Sequence, residues 1–445
     1  MKKMIMLCLA LALLVSLSSL PFKVEAAGKA SFTDTANHWA KEQIETAAQK
    51  GYVNGFPDGT FQPDDPVTRA EFIAMLVRAL GLSHDEEGSI WYTTYVRAAQ
   101  EERIYQGDED FPAWNMQKEI SREHMAWLAV RAADDSLLEV ESSGITREAV
   151  IDRWPMTAED NKIIRSDEDM RTYYEGFLVS EAFKRGILTG FGGSDIGLDK
   201  TTTRAQAVTV IERILTLRDG GELPAADKYA IGESELAWLK TNAFIVAPQI
   251  FDDPDADSMK PNYKVENLVF QNSTIYTVVN RIILIDLDDP KDPYRKLLPA
   301  IEKLGFRGEN IGKLPNDVYA MYIEYETLYD KNPNLYWGNL SFTTQSYDTP
   351  SPYPFDRLVE PHKLNTLEKE YDQINMLRPS DIGVGKGVTV WAIPNSGYTL
   401  NPNIGSRVGL EDRGLSFTLY VQPVRGMDGG ISNTIFYGTT THYDK

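Results

Sequence analysis

A segment at 31–82 returns twice further along the chain, and that repetition limits the fold more than any other feature. The first copy reads Phe32-Thr-Asp34, His38-Trp39-Ala40, Ile44, Ala47 and Gly51. It continues with Gly55-Phe-Pro-Asp-Gly59-Thr-Phe61, Pro63 and Val67-Thr-Arg-Ala-Glu71-Phe72. One constant register, with no gap, sets Asp34 on Asp169, Trp39 on Tyr174, Ile44 on Val179 and Ala47 on Ala182. It also sets Gly51 on Gly186, Gly55 on Gly190, Phe56 on Phe191 and Thr68-Arg69-Ala70 on Thr203-Arg204-Ala205. A second register sets Trp39 on Trp91, Ile44 on Val96, Ala47 on Ala99 and Gly55 on Gly107. A single insertion then brings Thr68-Arg69 onto Ser121-Arg122 and Arg78 onto Arg131.

Each copy reads as a helix, a Gly-rich loop and a second helix. Trp39, Ile44 and Ala47 fall on one helical face, and Gly51 and Gly55 supply the stop and the positive-φ positions of the loop. Thr68-x-x-Glu71 is a capping box: the hydroxyl takes the orphan amide at N3, and the carboxylate reaches back to the N-cap. The second helix therefore begins near Thr68.

The pattern Phe-x-Asp, His-Trp-Ala, Gly-Tyr-Val-x-Gly-Phe-x-Asp-Gly-Thr-Phe-x-Pro and Val-Thr-Arg-Ala-Glu resembles the S-layer homology (SLH) domain. The resemblance is strong in the first copy and clear in the third. It is degraded in the second, where Arg103 replaces the first loop glycine and His124 the capping Glu. It implies an α-helical pseudo-threefold unit of three helix-loop-helix copies that holds bacterial surface proteins on secondary cell-wall polysaccharide.

The expected divisions are a signal peptide at 1–26, repeats at 30–82, 88–135 and 168–220, a connector at 136–167, and a mixed α+β domain at 228–445. Met1-Lys2-Lys3, the apolar run Met4–Leu20 and Val24-x-Ala26 carry the signal reading, with a retained anchor as its alternative. Cys8 is the sole cysteine and lies in that run, so the expected mature chain has no disulfide, thiolate metal site or cysteine nucleophile. No other stretch is long and apolar enough to span a bilayer. A net charge of −20 argues against nucleic acid as a partner, and it means that local arginines must hold any anionic ligand.

In 228–445 the pattern predicts helices at Glu233–Lys240, Tyr294–Leu304, Asn316–Tyr329 and Thr366–Leu377. It predicts strands at Val265–Phe270, Ile275–Ile285, Gly387–Ile393, Leu415–Val421 and Ile431–Thr440.

Arg69, Arg122 and Arg204 each follow the capping Thr or Ser, at N1, where a cation meets the positive end of the helix dipole at a cost of a few tenths of a kcal/mol. One reading is anion binding, with the guanidinium fork and the helix N-terminal amides converging on one carboxylate. The other is structural pairing with Asp34, Asp169 or carbonyls of the next repeat. The resemblance favours the first for Arg69 and Arg204, leaves both readings open for Arg122, whose copy has lost several loop residues, and implies a pyruvate ketal carboxylate on an amino sugar.

Trp39, Trp91 and Tyr174 share one position; periodicity favours a core anchor, and a flat sugar platform is the functional reading. Asp34 and Asp169 read as caps of the first helix, with sugar contact as the alternative. Gly55 and Gly190 let the loop backbone approach a ligand or a neighbouring helix.

No histidine-metal, serine-hydrolase or Walker motif is present, and no metal or cofactor is expected. Asp252–Asp257 and Asp286–Asp292 read as solvated acidic loops rather than calcium sites. Glu324 and Glu326 are expected on a Tyr-rich helix.

The expectation is thus a secreted protein of a Gram-positive-type cell wall. Secondary cell-wall polysaccharide is its partner, other surface proteins are further candidates, and the membrane is not one after signal cleavage. The C-terminal half serves as a structural or binding module or, alternatively, as a polysaccharide hydrolase.

Overall fold

The structure, a computed structural model, describes residues 31–85, 90–134, 167–251, 263, 265–298, 318–330, 336–345, 385–394, 413–423 and 431–440. The expected signal peptide, nearly all of the expected connector, the acidic run Asp252–Asp257 and the helix expected at Thr366–Leu377 lie outside the described residues.

Three helix-loop-helix units are present: α1 Lys41–Lys50 with α2 Arg69–Ala79, α3 Thr93–Glu101 with α4 Arg122–Ala133, and α5 Asp167–Lys184 with α6 Arg204–Arg218. The second helices start where their caps predict. The Glu71 amide donates to Thr68 Oγ1 and the Thr68 amide to Glu71 Oε2; Thr203 and Gln206 repeat the exchange. Ser121 accepts from the His124 amide, and no reciprocal cap is formed. The first helix of each unit stops on a left-handed residue at one register position: Gly51 (φ 80°), Arg103 (φ 55°) and Gly186 (φ 71°).

The starts of the first helices differ from expectation. Helix α1 begins at Lys41 behind Ala40, with no side-chain cap. Asp34 instead accepts from the amides of Phe61 and Gln62 at 2.9 and 2.7 Å, pinning the loop. Asp169 falls inside α5 rather than before it, and its side chain is outside the described set.

Between units the backbone forms a closed ring. Val67 N donates to Thr202 O (2.9 Å), Thr202 N to Ile120 O (3.0 Å) and Ile120 N to Val67 O (2.9 Å). These residues hold one register position in the three copies. Buried residues from all three units form a single core, including Ile44, Phe72, Leu128, Phe183 and Ile211. A seventh helix, α7 Lys228–Trp238, joins that core through Ala230, Ile231 and Trp238. Glycine at 176 on α5 allows this, since a Cβ there would lie 2.3 Å from Trp238 Cβ.

Beyond α7 come two one-turn helices, α8 Ala243–Val246 and α9 Pro248–Phe251, and then antiparallel strands. Strands β1 Val269–Gln271, β2 Ile275–Asp286, β3 Val318–Asp330 and β5 Gly385–Pro394 form one sheet in the order β1-β2-β3-β5. Strands β4 Tyr336–Gln345, β6 Arg413–Pro423 and β7 Ile431–Thr440 form a second in the order β4-β6-β7. A second core, with Phe244, Phe251, Phe270, Ile323 and Phe436, draws on the short helices and both sheets. Asn433 Nδ2 ties β7 to the Val269 carbonyl (2.7 Å). Helices early and antiparallel strands late make the described chain mixed α+β.

The helix expected at Asn316–Tyr329 is strand β3. Every residue from Tyr319 to Tyr325 is buried, so both faces of β3 are covered, as are its edges, which pair with β2 and β5. A strand covered on both faces reads as a continuous apolar run, which periodicity does not separate from a helix; its Tyr, Ile and Thr content favours the strand. Glu324 and Glu326 are therefore strand residues. Val265–Leu268 is a 3-10 turn ahead of β1, and Pro293–Leu297 is a 3-10 turn at the start of the helix expected at Tyr294–Leu304. Strand β4 is not among the expected elements.

Candidate functional site

The three arginines lie at the junctions between units, each turned into the loop of the next. Arg204 donates from Nε to Phe61 O (3.0 Å) and from Nη2 to Asn54 O (3.2 Å), with its guanidinium over the rings of Phe56 and Phe61. Arg122 repeats the arrangement on the loop of the third unit. Nε donates to Ile196 O (3.1 Å), Nη2 donates to Thr189 O, and the ring beneath is Phe191. For these two the expected pairing with carbonyls of the next repeat is what the geometry holds. Burial pushes the Arg122 pKa down to about 10 and also lowers that of Arg204, which the carboxylates of Glu71, Asp65 and Asp34 partly offset.

Arg69 is different. It is 4% exposed, stands over the Phe111 ring with 4.4 Å from Cζ to the centroid, and bonds His124 Nδ1 through Nη2 at 3.2 Å. Its Nε and Nη1 are buried with no hydrogen-bond partner. Burial again lowers its pKa.

The helix N-terminal amides do not converge on a ligand. The N1 amides of Arg69, Arg122 and Arg204 donate to the carbonyls of Lys118, Lys200 and Asp65. The N2 amides of Ala70, Glu123 and Ala205 donate to Met116, Leu198 and Pro63. With the N3 amides on the caps, the part of the anion reading that relied on the amides fails, and any anion rests on side chains.

Trp39 and Trp91 are 62% and 50% exposed, so the core-anchor reading is wrong for both. Trp39 precedes the helix instead of riding its inner face. The Tyr174 side chain lies outside the described set. At Gly55 a Cβ would meet the Phe32 ring at 2.3 Å, and at Gly190 it would meet Ala230 Cβ at 3.0 Å. Both glycines therefore serve close internal packing: Gly55 against Phe32, Gly190 against α7.

Three relevant residues escape the sequence reading: Phe111, His124 as an arginine partner, and Trp114, which is 83% exposed. The signal for Trp114 lies in the repeat register. The alignment that puts Thr68 on Ser121 puts Phe61 on Trp114, and the alignment that puts Thr68 on Thr203 puts it on Ile196.

The carboxylates of Asp286, Asp289 and Asp292 are engaged by amides of their own loop and by Lys228 and Tyr229 of α7. Asp292 accepts from the amides of Asp286 and Tyr294, Asp286 from those of Asp288 and Asp289, and Asp289 from Lys291 N and Tyr229 Oη. No metal-binding cluster occurs among the described residues. In the sheet, Arg281 grips Glu324 with two bonds of 2.7 and 3.0 Å. No helix among the described residues is long and apolar enough to cross a membrane.

The S-layer homology domain model matches residues 31–73. The cellulosome-anchoring protein of Acetivibrio thermocellus is 44% identical over 52 residues, 12% of each chain. The S-layer protein EA1 of Bacillus anthracis is 35% identical over 94 residues, covering 19% of this chain and 11% of that protein. The amylopullulanase of Thermoanaerobacterium thermosulfurigenes is 30% identical over 194 residues, 42% of this chain. This chain spans only 9% of that enzyme.

Proposed function

We propose that this chain, which carries an S-layer homology domain at 31–73, is held by it and the two following units on the wall of a Gram-positive-type bacterium. In this reading the three units act as a pseudo-threefold anchor for a secreted protein, and 228–445 is displayed as a structural or binding module. The bound polymer is secondary cell-wall polysaccharide, recognised at a pyruvate ketal on an amino sugar.

The observation that carries the reading is one arginine per unit at one register position, each over an aromatic ring of the next unit. Cation-aromatic junctions suit an acidic sugar, with the charge on the guanidinium, and exposed Trp39 and Trp91 offer indole faces of the kind that sugar rings stack on. Relatives named as anchoring and S-layer proteins support the coarser statement of wall attachment.

The second reading, a wall-anchored polysaccharide hydrolase, draws on the relative named amylopullulanase. A retaining or inverting glycosidase needs two free facing carboxylates. Glu324, one of the carboxylates in the Tyr-rich stretch, is committed to Arg281 by two bonds.

The test is sedimentation of the full chain with purified wall sacculi, before and after mild acid removal of the pyruvate ketals. Binding lost with the ketals supports the reading. Binding unchanged overturns the ketal as the recognised group, and no binding in either case overturns anchoring.

A further inference from the structure

We propose that the outer face of the third unit is a docking surface reserved for the chain's own C-terminal half, and that α7 clamps the strands of that half onto it in one fixed orientation. The consequence at the wall, a module held at a set angle instead of swinging on a tether, rests on the anchoring reading. The clamp itself does not.

The three loops share one register and differ in what touches them. At Gly51 nothing among the described residues lies within 4 Å of where a Cβ would stand, and at Gly55 the near atoms belong to Phe32 and Thr60 of the same unit. At Gly107 of the second unit the near atom is Gln100 Nε2, again from its own unit. In the third unit the same positions face later chain. A Cβ at Gly186 would lie 2.2 Å from the Pro224 carbonyl oxygen and 3.0 Å from Leu223 Cβ, and one at Gly190 would lie 3.0 Å from Ala230 Cβ. One at Gly193, in the same loop, would lie 3.3 Å from Cβ of Pro293, in the turn that follows β2. Linker, helix and turn of the C-terminal half fill the space those side chains would need.

Helix α7 is held from both sides. Toward the third unit it buries Ala230, Ile231 and Trp238 in the first core and sets Trp238 edge to face with Phe177 of α5. Its Glu235, with no exposed side-chain surface, pairs with Lys184 Nζ at 2.6 Å. Toward the strands, Lys228 Nζ stands 3.2 Å from Asp289. The Tyr229 hydroxyl donates out to Asp289, and the Tyr294 hydroxyl donates back to Glu233.

Both flanks of α7 are pinned as well. Before it, the Ala226 amide donates to Phe183 O (3.0 Å), and Pro224 sits against Gly186. After it, the Ile282 amide of β2 donates to Lys240 O (2.7 Å), and the Asn242 side chain bonds both the amide and the carbonyl of Leu284. A hinge needs a few residues free to change φ and ψ, and these are tied by their own backbone. Swinging the strands away would either draw Ile231 and Trp238 out of an apolar core into water or break the bonds to β2. Neighbouring domains move freely where their contact is small and polar; here they share a helix that belongs to the core of the units.

The experiment is electron–electron dipolar spectroscopy on the full chain, spin-labelled at Glu101→Cys and Leu328→Cys. Both positions are exposed, and Cys8→Ser removes the sole native cysteine. We expect a single narrow distance distribution. Ala230→Arg, which puts a long charged side chain where α7 meets Gly190, should broaden it while the helical circular dichroism of the units is kept. A second measurement needs no packing variant: a protease site is inserted after Gly220, an exposed position with no described atom within 4 Å of its would-be Cβ. After cutting, the two pieces should stay together in gel filtration at low micromolar concentration, and Ala230→Arg should part them. A broad distribution in the parent, one left narrow by Ala230→Arg, or pieces that separate on cutting overturn the proposal. A chain that keeps the narrow distance but does not sediment with sacculi retains the clamp and loses anchoring. A chain that sediments and shows a broad distance retains anchoring and loses the clamp.

Discussion

Val67 of the first unit and Thr202 of the third are joined by a 2.9 Å hydrogen bond from the amide of the former to the carbonyl of the latter. Ile120 completes the circuit with both. No unit can therefore leave without breaking two bonds of a buried ring, and the arginines that follow these residues are delivered into the neighbouring loops by the same pairing. The ring sets the junction geometry, and side chains decide what each junction then does.

Arg103 is the left-handed residue of the second unit, where the other two use glycine. An L side chain there costs about 1 kcal/mol, and part of that is returned as lower unfolded-state entropy. Arg103→Gly should raise stability by about 0.5 kcal/mol, read as a higher denaturant midpoint with an unchanged slope.

The Arg131–Asp110 pair is buried on both sides, at 1% and 3% side-chain exposure. Removing one partner strands the other charge in the core. Asp110→Ala should cost about 3–5 kcal/mol in chemical denaturation. A cost under about 1 kcal/mol would mean that the carbonyl of Ile104, which also accepts from Arg131, suffices.

Gly176 is the contact point between α5 and α7. Gly176→Ala forces a Cβ to 2.3 Å from Trp238, and α7 must shift. The expected loss is about 1–3 kcal/mol or more, visible as a lower melting temperature together with altered Trp238 fluorescence.

Asp289 has its carboxyl held down to about 2, first by the Tyr229 hydroxyl and then by the Lys291 amide and Lys228. A depressed carboxyl stabilises the fold above its unfolded pKa of about 4, and that contribution is lost as the pH falls toward about 2. Tyr229→Phe should be less stable than the parent at neutral pH. The gap should close between about pH 4 and about pH 2 in an acid titration followed by circular dichroism.

Much of the first half is legible because capping, turn and repeat signals are local. Thr68-x-x-Glu71 and Thr203-x-x-Gln206 locate their helices to the residue, and one register places Arg204 by reference to Arg69. The exposed Trp39 defeats the periodic reading because it sits ahead of α1, where helical periodicity does not apply. Strand β3 defeats it because burial on both faces erases the alternation that marks a strand.

What the sequence alone determined is the identity of the repeating unit, its cap residues and the arginine at N1, all set within a few residues of one another. The division of labour among the arginines was decided only in three dimensions. Whether a guanidinium is satisfied depends on carbonyls supplied by a loop far along the chain: those of Asn54 and Phe61 meet Arg204, whereas Nε and Nη1 of Arg69 meet no acceptor. Those are differences of side-chain packing between units, and they leave no periodic trace in the sequence.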